Sequence, residues 1–222
     1  LGGTKARAMA ESWVDGGALD QAGFAPLELL GAWAFIAEQL VAFRRRGILY
    51  TDIKCRNVIA SRAPLAVTLI DFNLATCVEA KGLYRASRFG YTRGFEAPEH
   101  RRAPVLTEAC IVYQLALLLP HCGLRVDNRN LRHPRRGLGP LRERLRALGA
   151  PRLAGVLEAS LAVKPEERPR DFEELWNAFQ GPGGPLLPAK ARWTWKTLRA
   201  PYAAPLAELG LDGNHNAPDR PR

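Results

Sequence analysis

No apolar run in this sequence reaches about 18 residues, the length at which a helix can cross a bilayer, so no membrane span is expected. No secretory signal, with a charged start, an apolar middle and a small-residue end, can be recognised. Cysteine is scarce: Cys55, Cys77, Cys110 and Cys122 form neither a C-x-x-C pair nor a zinc-ligand spacing. They read as reduced thiols of an intracellular protein, cytosolic or nuclear, and not of a secreted one. Internal repeats are absent. So are the motifs of RNA- and DNA-binding modules, and nucleic acid is not expected as a partner. The 22 acidic residues are outnumbered by 32 lysines and arginines, for a net charge of +10. A surplus of that size favours acidic partners such as phosphates and acidic peptides, although a solvated basic face is the plainer explanation. The 222 residues suffice for one domain with a real core and a tail. Leucine rather than methionine at position 1 is what a fragment, a processed product or a shortened chain would show.

What is present centres on residues 47–57, GILYTDIKCRN, and on an echo at residues 70–73, IDFN. Asp52 sits in a short polar turn, with Lys54 two residues later and Asn57 five residues later. Asp71 follows the apolar run Ala66-Val67-Thr68-Leu69-Ile70. This spacing suits phosphoryl transfer from a nucleotide. One carboxylate takes or orients a hydroxyl proton, while an amide oxygen and a second carboxylate hold magnesium against the phosphates. A cation beside the transferred group completes the set. The reaction asks for positioning and charge more than for covalent chemistry.

The string resembles the catalytic loop of protein kinases, H-R-D-L-K-x-x-N, followed by the D-F-G metal loop. Ala97-Pro98-Glu99 looks like the A-P-E that closes the activation segment, and Pro165-Glu166-Glu167-Arg168-Pro169 is similar to the arginine-bearing turn near the end of the kinase fold. Four landmarks in order, at family-like distances, make the resemblance strong; it covers residues 8–179. It implies Asp52 as the catalytic aspartate, Lys54 as the cation on the transferring phosphate, and Asn57 and Asp71 as ligands of magnesium and ATP. Thr92, five residues before Ala97, matches the threonine that bonds the catalytic aspartate and lysine. Lysine two residues after the aspartate is the serine/threonine pattern. Residues 8–17, AMAESWVDGG, look like the last strand of the N-lobe running into the hinge. Glu11 and Trp13 would then lie along the adenine edge. Before them stand no Gly-rich phosphate loop, no strand lysine of the V-A-I-K type and no helix glutamate to pair with it. The D-I-K-C-x-N string also looks similar to kinases of large DNA viruses, herpesviruses in particular.

Four positions depart from the family pattern. Tyr50 stands for the usual histidine, and its ring can take over the packing role. Thr51 stands for the arginine that receives an activation-segment phosphate, which makes phosphate switching doubtful here. Asn73 replaces a glycine; asparagine tolerates positive φ better than most residues. Ile111 replaces an aspartate that anchors the catalytic loop, so the anchoring must be different or weaker.

Elsewhere the pattern gives mostly helices. Residues 27–46 carry Leu29, Trp33, Ile36, Leu40 and Phe43 on one face, with Arg44-Arg45-Arg46 in the last turn to complement the helix dipole and Gly47 as the stop. Residues 58–60 and 67–70 read as a hairpin around Pro64. Tyr84, Ser87 and Tyr91 are ordinary loop hydroxyls that could also accept phosphate. Glu99 is expected to pair with Arg168. Residues 108–119 form an apolar helix, residues 123–148 a basic loop and then a helix from Pro140, and residues 153–163 and 171–179 two amphipathic helices. QGPGGP at 180–185 marks a boundary. Beyond it a basic, Pro-rich tail carries Trp193-x-Trp195, reads as a partly ordered arm docking by its aromatics, and is expected to be disordered past about Asp212.

The expected fold class is mainly α (α+β): a kinase-like C-terminal lobe, a helical bundle with short β-hairpins. Residues 1–20 are a remnant of the N-lobe, 21–180 the C-lobe and 181–222 the tail. The expected activity is transfer of the γ-phosphate of ATP, with Mg2+, to serine or threonine hydroxyls of a protein substrate; an acidic partner could dock on the basic stretch from Arg125 to Arg146. A catalytically silent kinase fold used as a binding scaffold is the alternative. A small-molecule phosphotransferase of the aminoglycoside or choline type, which shares the D-x-x-x-x-N…D skeleton, comes third, with Lys54, Thr92 and the A-P-E triplet against it.

Overall fold

A computed structural model describes residues 14–78, 83–85, 92, 94–101, 105–124, 134–181 and 185–211. The architecture is mainly helical with small antiparallel sheets, an α+β arrangement. Its axis is helix α1, Pro26–Arg45. Pro26 occupies the first turn, where a missing N–H costs nothing, and the Glu28 carboxylate accepts from the Ala25 backbone N–H at 2.8 Å. Gly47, at φ 77°, ends the helix in a conformation that glycine adopts without strain. α1 is long and apolar enough to cross a membrane by length and composition, although its apolar residues form no unbroken run. Here 72% of that apolar window is buried inside the protein.

Helices α2 (Glu108–Cys122), α5 (Phe172–Gln180) and α6 (Ala189–Arg199) cover α1. The Trp33 indole N–H donates to the Leu115 carbonyl at 2.9 Å, tying α1 to α2, and its ring meets Phe179 of α5 edge-on at 5.7 Å. The arginines expected only to cap α1 do more. Arg44 holds Glu108 at 2.8 Å and Arg45 holds Glu173 at 2.6 Å, so the end of α1 is clamped to α2 and α5. Between α2 and α5 lie α3 (Pro134–Ala147) and α4 (Pro151–Ser160). The expected start of α3 at Pro140 is corrected: the helix begins at Pro134 and carries Pro140 inside. Pro140 lies on the exposed face and forfeits one backbone hydrogen bond without ending the helix.

Three small sheets fasten the loops. β1 (Gly17–Ala18), β3 (Val58–Arg62) and β4 (Leu65–Leu69) form one in the order β1-β3-β4, all antiparallel, with Val58 opposite Leu69. The hairpin expected around Pro64 is this β3–β4 pair. β2 (Ile48–Leu49) pairs with β5 (Thr76–Cys77), and β6 (Leu83–Arg85) with β7 (Val105–Thr107).

Past the compositional boundary at 180–185 the chain folds back. α6 lies along α1, and a short helix α7 (Ala203–Glu208) follows. Gly31 makes this approach possible: a Cβ there would collide with the Ala191 carbonyl and sit 2.7 Å from Thr194 Cβ. Of the two tail tryptophans, Trp195 docks, donating to Glu38 at 3.0 Å, while Trp193 is 62% exposed. Arg199 holds the other Glu38 oxygen at 2.7 Å. Burial raises the Glu38 pKa above its ordinary value, against the lowering effects of Arg199 and Trp195. The disorder expected past Asp212 concerns residues outside those described.

The cysteine reading is also corrected. Cys55 and Cys122 form a disulfide with Cα atoms 6.2 Å apart, and Cys77 and Cys110 are free. The partners stand 67 residues apart in sequence, so no local spacing announced them. Cys110 is a quiet thiol: burial first, and then its bond to Glu99, push its pKa up to about 11.

Candidate active site

Two loops meet where α1 ends. The first runs from β2 through Tyr50–Lys54 into a 3-10 turn, Cys55–Asn57, and the second joins β4 to β5. The β2–β5 pairing brings them together at one end and the β3–β4 hairpin at the other. Three bonds then staple them: Tyr50 Oη donates to the Ile70 carbonyl at 2.5 Å, Thr51 Oγ1 to the Leu74 carbonyl at 2.6 Å, and the Ile70 N–H to the Asn57 carbonyl at 3.0 Å. Phe72 adds ring contacts with Tyr50 at 5.0 Å and Phe43 at 5.4 Å, although it is 39% exposed.

Asp52 is the focus of the first loop. Its Oδ2 accepts from Lys54 Nζ at 2.5 Å and from Asn57 Nδ2 at 2.9 Å, and its Oδ1 from Thr92 Oγ1 at 3.3 Å. Asn57 Nδ2 also donates to the Asp52 carbonyl at 2.9 Å. The asparagine is buried, and with its N–H groups turned to Asp52 and the Tyr50 hydroxyl its amide oxygen is the atom it can offer a cation. Asp71 lies half-buried at the start of the second loop with φ 60°, and its Oδ1 accepts from the Asn73 N–H at 3.4 Å. The positive φ therefore falls on Asp71, where the sequence pointed to Asn73. Both carboxylates act on the Tyr50 hydroxyl. Burial first, and then the charges of Asp52 and Asp71, raise that phenol above its ordinary pKa, while a bond from Asn57 opposes them.

The sequence-predicted residues Asp52, Lys54, Asn57 and Thr92 thus converge within hydrogen-bonding reach, while Asp71 follows Ile70, whose carbonyl accepts from the Tyr50 hydroxyl. Glu11 and Trp13 lie outside the described residues, as do Ser87, Tyr91, Arg125, Arg129 and Arg132. Of the basic stretch, Arg142 is engaged by Glu158 at 2.6 Å. Glu99 and Arg168 form the expected pair, bonded twice at 2.6 and 2.8 Å. Burial works to raise the Glu99 pKa, but bonds from Arg168 and Cys110 outweigh it and hold the carboxyl below its ordinary value.

Three features escaped the sequence. The Tyr50 hydroxyl is a staple and not only a packing ring. Thr51 bonds the following loop. Gln114, buried on α2, accepts from the Ile53 N–H at 3.4 Å and supplies an anchor that Ile111 cannot. No short motif marks Gln114, because its partner is a backbone N–H 61 positions away.

Among the described residues, no group of three or more His, Cys, Asp and Glu side chains could hold a metal ion. The Asp71 carboxylate and the Asn57 amide oxygen are hard ligands of the kind magnesium takes when other oxygens complete the shell. Neither a protein-family model nor a curated protein matches the chain.

Proposed function

We propose that the chain forms most of the C-terminal lobe of a serine/threonine protein kinase and transfers the γ-phosphate of ATP to a protein hydroxyl. The observation that carries this reading is the meeting of Lys54, Asn57 and Thr92 on the one Asp52 carboxylate. A carboxylate so held is oriented but retains lone pairs, so it can receive the substrate hydroxyl proton. Lys54 lies where it can leave Asp52 for the transferring phosphoryl oxygens. Asn57 and Asp71 would hold Mg2+, which when bound neutralises the phosphate charge. Tyr50 and Thr51 fix the distance between the two loops, and hence between proton acceptor and metal ligands. The Glu99–Arg168 pair, beside the protein-substrate segment, favours a protein over a small molecule as acceptor.

A second reading keeps the shape and drops the turnover. It is supported by the 2.5 Å hold of Lys54 on Asp52. One assay separates the two. The chain, and a longer form with upstream sequence, are incubated with labelled ATP, Mg2+ and a basic protein substrate. Transfer is expected, with Asp52→Asn slower by about 10²–10⁴-fold. No labelling by the longer form, or equal labelling by Asp52→Asn, overturns the kinase reading.

A further inference from the structure

The Cys55–Cys122 disulfide runs from the turn between Lys54 and Asn57 to the last residue of α2. Each cysteine is 6% exposed. Gln114 of α2 also bonds this loop, at the Ile53 N–H, and at 3.4 Å that bond is long for a hydrogen bond. The covalent tie is therefore the stronger constraint on the two residues that flank it.

We propose that this disulfide is a redox-operated clamp on the catalytic loop. Closed, it holds Lys54 and Asn57 in the geometry described. Opened, it releases the turn and weakens binding of a metal–nucleotide complex. The binding half of this inference rests on the phosphotransfer reading above; the loop half does not.

The chemistry is thiol–disulfide exchange with a cellular dithiol. A thiolate of the dithiol attacks one sulfur, the Cys55–Cys122 bond breaks, and a mixed disulfide forms. The second thiolate of the reductant then displaces the remaining protein sulfur. Two electrons and two protons end on Cys55 and Cys122, and the reductant leaves as a cyclic disulfide. A low-molecular-weight disulfide such as oxidised glutathione reverses the exchange. Because both sulfurs are buried, attack requires the turn to open. A ligand on Lys54 and Asn57 opposes that opening, and linkage fixes the size of the effect. If the closed form binds the ligand more tightly by some factor, the ligand favours the disulfide by the same factor.

The test uses the full chain in two states, oxidised and treated with dithiothreitol. Thiol counting after denaturation should find two free cysteines, Cys77 and Cys110, in the first state and four in the second. Amide hydrogen exchange across residues 52–57 should quicken on reduction. Affinity for Mg2+·ATP should fall about fivefold or more, and saturating Mg2+·ATP should slow the reduction. Cys122→Ala, with unchanged circular dichroism, should lose all response to dithiothreitol. Four free thiols in the oxidised preparation, or loop exchange that is the same in both states, overturns the clamp. Equal nucleotide affinity in both states overturns its effect on binding and leaves the phosphotransfer reading standing. If neither state binds nucleotide while loop exchange still follows the redox state, the clamp on the loop stands and the phosphotransfer reading falls.

Discussion

Arg168 and Lys54 each hold a carboxylate, at 2.6 and 2.5 Å, in two parts of the same helical body. Arg168 has no exposed side-chain surface. Its Nε donates to the Ala162 carbonyl, its Nη1 to Glu99 and the Ala109 carbonyl, and its Nη2 to Glu99 and the Val163 carbonyl. The guanidinium also lies 4.8 Å from the centre of the Tyr113 ring. Its nitrogens are all engaged, and nothing about the pair invites a ligand. Lys54 is a point charge on a flexible stem, 21% exposed, with three N–H groups and a bond to Asp52. The first pair completes a fold. The second keeps capacity to exchange one partner for another, as the proposed transfer reaction would require.

Mutation should separate the two pairs most sharply. Arg168→Ala strands the Glu99 carboxylate and three carbonyls, and is expected to cost about 3–5 kcal/mol in chemical unfolding. Lys54→Ala, by contrast, should cost about 1 kcal/mol, because Asn57 and Thr92 still bond Asp52. If the two variants lose equal stability, the distinction is void. Next in size is Gly31→Ala. Overpacking against Ala191 and Thr194 should cost about 1–3 kcal/mol, and the fluorescence of the docked Trp195 should shift.

Tyr50→Phe keeps the ring contact with Phe72 and loses the bond to Ile70. A loss of about 1 kcal/mol is expected, together with faster amide exchange across residues 70–74. No change in that exchange would show that the hydroxyl does not staple the loops.

The smallest effect is on pH dependence. Glu99 has its folded pKa below the ordinary 4.5, so its stabilisation is complete above about that pH and is lost as pH falls through the folded value. Glu38 has the opposite sign. Its folded pKa lies above 4.5, so its contribution is complete below that pH and is lost as pH rises through the folded value. Unfolding midpoints measured from pH 3 to 7 on Glu38→Gln should therefore keep the acid-side loss and drop the opposing component.

What the sequence made legible was local. The stretch at 47–57 placed Asp52, Lys54 and Asn57 on one turn, because a turn of that length cannot carry them far apart. Two short apolar runs on either side of a turn at Pro64 gave the hairpin, and three- and four-residue steps gave α1. Long-range partners were legible only for Thr92, Glu99 and Arg168, through the kinase resemblance. The disulfide, the Gln114 anchor and the return of α6 onto α1 depend on contacts across 67, 61 and 157 positions, and no short pattern encodes those. The tail misled by composition. Proline, glycine and basic residues suggest a loose arm, yet Ala191, Thr194, Trp195 and Leu198 recur at helical steps and are buried. The gap at Gly31 that receives them has no signal of its own, since a glycine inside a helix usually reads as a weakness.

The central claim is that Asp52, Lys54, Asn57 and Asp71 face one phosphate-and-metal site. Its most direct measurement is calorimetric titration of the full chain with ATP, with and without Mn2+. Binding is expected to require the cation and to weaken by about tenfold or more in both Asn57→Ala and Asp71→Asn, with circular dichroism unchanged. Binding that ignores the cation, or that survives both substitutions at full strength, would contradict it.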